Sequence, residues 1–150
     1  MNLHIVRIDR LSHGLEALIA ESQEQGFRFL RRLQLEYQSG VNRFRLPGEG
    51  LLAAFDGKRL VAIGGVNQQP YNGQRTGRLR RFYVAADYRR QGVGRELLAA
   101  IETFSGLYFH ELHLFTDTDE AARFYQRLGY LPVNHPHTSH SKKLTVSTAD

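Results

Sequence analysis

The chain has no cysteine and no tryptophan, and only one methionine and four prolines in 150 residues. Without cysteine there is no disulfide framework, no thiolate nucleophile and no thiolate metal site. No apolar run is long enough to span a bilayer. Arg7, Asp9 and Arg10 interrupt the start, where a signal peptide would need an unbroken apolar core. The expectation is a cytoplasmic protein without a membrane partner. Repeats and low-complexity tracts are also missing. Acid is scarce where base is dense. No Asp or Glu stands between Asp56 and Asp87, a span that holds Arg75, Arg78, Arg80 and Arg81, and Arg89, Arg90 and Arg95 follow it.

What is present suits a single domain over residues 1–150. At 41% apolar and 23% charged, the composition is that of an ordinary globular chain. A domain of this length buries about 70% of its unfolded surface and needs no staples. Leu3 to Ile8 alternates as a strand. Ser12 is placed to cap a helix carrying Leu15, Leu18 and Ile19, and Gly26 breaks it. Phe27, Leu30, Leu33 and Tyr37 mark a second helix, with Arg28, Arg31 and Arg32 on its wet side. Ser39-Gly40 and Pro47 to Gly50 are turn clusters. Leu51–Phe55 and Leu60–Val66 read as strands joined by Asp56-Gly57, a hairpin signal. Asn67 to Gly73 is a polar loop.

The chain is organised around Arg78 to Glu102. Leu79, Phe82, Tyr83 and Val84 favour a strand, and Leu97, Leu98, Ile101 and Phe104 form one helical face. Between them lies Arg89-Arg90-Gln91-Gly92-Val93-Gly94-Arg95. Glycines there let the backbone turn and come close to a ligand. Amides that open a helix lack intrahelical partners and sit at the positive end of its dipole, which suits a phosphate or pyrophosphate. No Gly-Lys-Ser/Thr follows, so this is not a Walker loop, and Leu97 stands where a dinucleotide fingerprint needs its third glycine. With a net charge of +5, the arginine cluster reads as a solvated face, a cofactor phosphate site or a nucleic-acid surface. The glycine turn inside it favours the second. No base-stacking aromatic series supports the third.

Downstream, Leu112 to Thr116 is a strand, Asp117 or Thr118 caps a helix with Glu120 in its first turn, and Ala121, Phe124, Tyr125 and Leu128 form its apolar face. Gly129 stops it. Tyr130–Val133 and Lys142–Val146 are read as strands, Asn134–His140 as a loop, and the last residues as a frayed tail.

Arg89-x-x-Gly92-x-Gly94, behind Phe82-Tyr83-Val84, resembles the central motif of the GNAT superfamily of acyl-CoA-dependent N-acetyltransferases. The run from Ala121 through Phe124-Tyr125 to Gly129-Tyr130 is similar to the family's helix and strand that close the site. The first 50 residues match in order of elements only. The resemblance implies a mixed α/β fold: a mainly antiparallel sheet with a parallel central strand pair and helices on both faces. It implies acetyl-CoA as cosubstrate and transfer to a primary amine by direct attack in a ternary complex. Cofactor contacts would come from Phe82, Tyr83, Val84, Arg89, Arg90, Gln91, Gly92, Val93, Gly94, Arg95 and Thr118, with backbone N–H groups near Phe82–Val84 facing the thioester oxygen. Tyr125, at the family's usual position, would be the general acid, with core packing as its other reading. Dimers are common in the family, so the resemblance leaves a homodimer open without fixing the oligomeric state.

Many relatives carry a Glu near the start of the central strand, and Arg78 occupies that place here. A base would then act through water, or be His113 or Glu111 on the next strand; His113 has a suitable intrinsic pKa. The absent acid disfavours a polyamine or protein lysine. Arg78, Arg80 and Arg81 could hold a carboxylate, which points to a small amine-bearing metabolite, with Arg80 and Arg81 as substrate contacts. Strand parity sends Arg78 and Arg80 to the face opposite Arg81, so not all three would serve. His135, His137 and His140 lack a supporting carboxylate, and no metal is expected. Two other functions stay open: a non-catalytic acyl-CoA-binding regulatory domain, and a basic RNA-associated module.

Overall fold

A computed structural model describes residues 1–69 and 75–145. Part of the expected polar loop, the end of the expected last strand at Val146 and the tail lie outside them. The chain starts with strand β1 (Leu3–Ile8), helices α1 (Leu15–Glu24) and α2 (Phe29–Ser39), and the hairpin β2 (Gly50–Asp56) and β3 (Arg59–Gln68). It continues through β4 (Thr76–Val84), a short 3-10 turn, α3 (Val93–Ser105), β5 (Glu111–Leu114), α4 (Asp119–Arg127), β6 (Leu131–His135) and β7 (Thr138–Lys143). The seven strands form one sheet in the order β1-β2-β3-β4-β5-β7-β6. Every pair is antiparallel except β4 with β5.

Both faces of the sheet are covered, which is why β2 and β3 read as nearly continuous apolar runs. Val93, Leu97, Leu98 and Ile101 of α3 pack with Leu52, Val66, Leu112 and Leu114 on one face. Leu15, Leu18, Leu30 and Leu33 of α1 and α2 pack with Leu51, Ala53, Ile63 and Tyr83 on the other. Arg28, Arg31 and Arg32 lie on the exposed side of the second helical segment, as its periodicity requires.

Two local expectations are corrected. Ser12 does not cap α1. Gly14 is the N-cap, and the buried Ser12 hydroxyl has no hydrogen-bond partner among the described residues. Gly14 lies so close to β3 that a Cβ there would stand 2.7 Å from Leu60 Cβ, so tertiary packing, not the hydroxyl, sets where the helix starts. The expected Asn134–His140 loop is instead a tight hairpin, with β6 reaching His135 and β7 starting at Thr138. Its inward positions, Thr138 and His140, are polar yet buried, so no apolar alternation marks the strand.

Candidate active site

β4 pairs with β5 only where Thr76, Gly77 and Arg78 face Glu111, Leu112 and His113. From Leu79 to Val84 it has no strand partner on that side among the described residues. Its other edge stays on β3, with one extra residue: Ile63 faces Tyr83 but Gly65 faces Arg80, so Arg81 and Phe82 oppose Gly64 alone. Arg81 takes φ +60°. This is a β-bulge, which bends the strand and turns it away from its neighbour. A close fit permits it. A Cβ on Gly64 would stand 2.8 Å from Phe82, and one on Gly65 would stand 2.5 Å from Phe44.

The bulge corrects the parity expectation. Arg80 and Arg81 come to one side and share the field of Glu36 on α2. Arg81 is 8% exposed and its Nη2 donates to Glu36 Oε1 at 2.9 Å. Its Nε has no partner among the described residues. Burial, then the neighbouring Arg80, draws the Arg81 guanidinium below the usual range.

Past the 3-10 turn, Arg90 (φ +63°) and Gly92 (φ +82°) are both left-handed, and Gly92 is the N-cap of α3. The helix ladder opens with the Glu96 N–H donating to Gly92 O at 3.0 Å. Among the described residues, the amides from Arg90 to Arg95 donate to no protein group. Gly94 is needed for space, since a Cβ there would meet Phe124 of α4 at 3.2 Å and Val84 at 3.4 Å. The arginines divide. Arg89 Nε donates to Val84 O at 3.1 Å and its Nη2 to Gln25 at 2.8 Å, and its guanidinium lies over the Tyr83 ring. Arg90 and Arg95 are exposed and have no partner among the described residues. Gln91 donates to Asp87 O.

The other expected cofactor residues offer backbone more than side chain. Val93 is in the core, and Phe82 and Val84 pack against it. The Tyr83 hydroxyl donates to Glu21, and burial raises its pKa. Thr118 is the cap of α4, its hydroxyl accepting from the Ala121 N–H at 3.3 Å.

Tyr125 is nine-tenths buried, with ring centroids of Phe124, Tyr130 and Phe82 at 5.1, 5.6 and 6.1 Å. Its hydroxyl makes no hydrogen bond among the described residues, and burial raises its pKa, so it stays protonated. Contact with Phe82 sets it against the bulged part of β4. His113 lies on the opposite face, because Leu112 and Leu114 take the core positions on either side of it. Its Nε2 is 3.2 Å from Glu111 Oε1 and its Nδ1 is 3.4 Å from Gln69 Nε2. Arg78 donates to Gln69 and to the His137 carbonyl.

Beside Arg80, an open cleft of about 490 Å³ lies under the α2–β2 loop. Glu36, Glu49, Asn67 and Arg80 line it. The loop is braced from below. Phe44, at φ +55°, is 2% exposed and seats on Gly65, and Asn42 and Asn67 exchange amide hydrogen bonds at 3.0 Å. Glu49 accepts the Leu46 and Gln68 amides at 3.1 and 2.8 Å. Sequence reasoning missed both carboxylates. Glu36 is one more polar residue on an amphipathic helix, and Glu49 sits in a turn cluster, so only the tertiary fold brings them to the arginines.

His135 and His137 are exposed rings 6.0 Å apart, whereas His140 is buried toward Gln126. Among the described residues no group of three or more His, Cys, Asp or Glu is placed to hold a metal ion, and no helix is long and apolar enough to cross a membrane.

No curated protein matches the chain by sequence. Solved structures do resemble it. A protein of Exiguobacterium sp. 255-15 assigned as an acetyltransferase is 28% identical, with a TM-score of 0.83 over 95% of this chain and 94% of that one. A GNAT-family acetyltransferase of Staphylococcus aureus Mu50 is 17% identical, with a TM-score of 0.71 over 95% and 100%. An aminoglycoside 6'-N-acetyltransferase complexed with coenzyme A is 18% identical, with a TM-score of 0.67 over 95% and 97%. The last two speak to the fold alone. A model of the acetyltransferase (GNAT) domain matches residues 47–132, more than half of the chain. That span holds the bulged strand, the free amides that open α3, and the helix that carries Tyr125, and the chain belongs to the GNAT acetyltransferase family.

Proposed function

We propose that this protein is an acetyl-CoA-dependent N-acetyltransferase whose acceptor is the primary amine of a small metabolite. The observation that carries the reading is the run of unpartnered amides from Arg90 to Arg95 beside the opening between β4 and β5. Free amides at a helix N-terminus suit a pyrophosphate, and the exposed Arg90 and Arg95 add charge beside them. The unpaired edge of β4 offers backbone groups to an extended amide-bearing arm and to a carbonyl oxygen.

Bound acetyl-CoA supplies an activated acyl thioester. The residues then divide the remaining work. Backbone N–H groups on the free edge of β4 stabilise negative charge growing on the carbonyl oxygen, an effect worth about 3 kcal/mol per donor in acyl transfer. The amine nitrogen forms a C–N bond as the C–S bond breaks. Tyr125 gives its proton to the departing sulfur, and the amine's surplus proton leaves through His113, Glu111 or water. The same burial that keeps the phenol protonated also makes a thiolate less stable there, so the transfer remains matched.

Calorimetric titration with acetyl-CoA tests the reading, with dephospho-CoA and ATP as controls. One-site binding that prefers acetyl-CoA and is lost in Gly92→Glu supports it. That substitution forces a side chain onto φ +82°, at about 1–2 kcal/mol, and brings a carboxylate to the anion site. No saturable binding at any salt concentration would overturn the reading, and salt-sensitive RNA binding would replace it. Binding without CoA release on any amine would favour the regulatory alternative.

A further inference from the structure

The cationic side chains around the cleft are not equivalent. Arg78 is held by Gln69 and the His137 carbonyl, Arg81 by Glu36, Arg43 by the Tyr37 carbonyl and Arg45 by the Asp9 carbonyl. Arg80 makes no hydrogen bond and no ion pair among the described residues. It is nevertheless partly buried, and burial is the leading influence on its guanidinium. A cation withdrawn from water without a partner is unfavourable, and its planar fork of donors fits a carboxylate.

The protein's own carboxylates, Glu36 and Glu49, lend Arg80 their field but no hydrogen bond among the described residues. Glu49 is committed to two backbone amides, and Glu36 Oε1 to Arg81. Glu36 Oε2 accepts no hydrogen bond among the described residues. Val41 and Leu46 also line the cleft, at 75% and 60% exposure, so their apolar side chains are open to a ligand.

We infer that the acceptor is a small amine that also carries a carboxylate and an apolar body. This rests on the N-acetyltransferase reading above. The carboxylate pairs with Arg80, the apolar body lies on Val41 and Leu46, and the amine stands beside the bulge, with Glu36 Oε2 in the same cleft to accept its hydrogen bond. Arg80 immediately precedes the bulged Arg81, so an acceptor anchored there is held where β4 has left β5. A polycation is a poor fit, since three arginines line the cleft against two carboxylates, of which Glu49 and one oxygen of Glu36 are already engaged.

The test follows acetyl-CoA titration with a CoA-release assay on four kinds of probe: apolar amino acids such as leucine, leucinamide, isoamylamine and spermidine. The parent is expected to favour leucine over isoamylamine about 10- to 100-fold in kcat/KM, the range of a charge-assisted hydrogen bond. Arg80→Met should compress that ratio by roughly tenfold or more, and Arg80→Glu should invert it. Comparing ratios removes the intrinsic reactivity of each amine, and melting curves check folding. An unchanged ratio in Arg80→Met overturns the inference. So does a preference for spermidine, or acetyl-CoA binding with no release on any carboxylate-bearing amine; the cofactor reading then stands. Absence of acetyl-CoA binding would remove that reading, and the inference with it.

Discussion

Removing the more exposed partner of the Arg81–Glu36 pair should cost more than removing the buried one. The Arg81 side chain is 6% exposed and that of Glu36 is 27% exposed. Glu36→Ala leaves a guanidinium shut from water with its Nε already unpaired. Breaking a fully buried pair costs about 3–5 kcal/mol, and with Glu36 partly hydrated the expected loss is about 2–3 kcal/mol. Arg81→Gly instead removes the charge and relieves the left-handed backbone, a gain of about 1–2 kcal/mol that offsets the lost contacts. Glu36 then hydrates freely. The net loss is expected near 1 kcal/mol. The double variant should match Arg81→Gly, so the cycle should show a coupling equal to the Glu36→Ala loss, about 2–3 kcal/mol. Urea unfolding reads this directly, and thermal melts should show about 2–4 °C per kcal/mol for a chain of this size. Additivity within about 0.5 kcal/mol, or a larger loss for Arg81→Gly than for Glu36→Ala, would refute the account of the bulge as pinned by a desolvated charge.

Three further predictions address the site and its supports. Tyr125→Phe removes a hydroxyl that makes no hydrogen bond among the described residues, so melting should shift by less than about 2 °C while turnover falls by roughly 100-fold or more; unchanged turnover on a verified acceptor removes Tyr125 from the mechanism. Gly65→Ala places a Cβ 2.5 Å from Phe44 and should cost about 1–3 kcal/mol while raising the acceptor KM, because Phe44 supports the cleft loop; a neutral effect on both would show that the loop is not braced there. Burial raises the pKa of Tyr83, Tyr125 and Tyr130. Their contribution is therefore complete below the unfolded tyrosine pKa of about 10 and declines above it, where the unfolded chain ionises first. Urea midpoints measured from pH 9 to 11 should fall only over the upper part of that range, and a flat profile would count against this.

Much of the fold could be read locally. The helix faces of Leu15, Leu18 and Ile19, of Leu30, Leu33 and Tyr37, and of Leu97, Leu98 and Ile101 are all buried as their spacing requires. The hairpin turns at Gly57-Lys58, one residue after the expected Asp56-Gly57, because Asp56 still pairs with Arg59, and Gly92 is the N-cap of α3. Such features rest on residues a few positions apart, so a chain read in order displays them. The acceptor side could not be read that way. Glu36 and Arg81 are 45 residues apart in sequence, and nothing local to either announces the other.

The amino-acid sequence by itself determined the alternation of elements, the glycine turn that opens α3, and the basic character of the surrounding loop. Tertiary structure decided which arginine is available. The bulge depends on the register of β4 against Gly64 and Gly65, and on the seating of Phe82 and Phe44 against those two glycines. That register brings Arg80 and Arg81 to one side against strand parity, gives Arg81 to Glu36, and leaves Arg80 without a protein partner among the described residues. Periodicity assigns a side chain to a face only while the strand stays regular, and one inserted residue resets it.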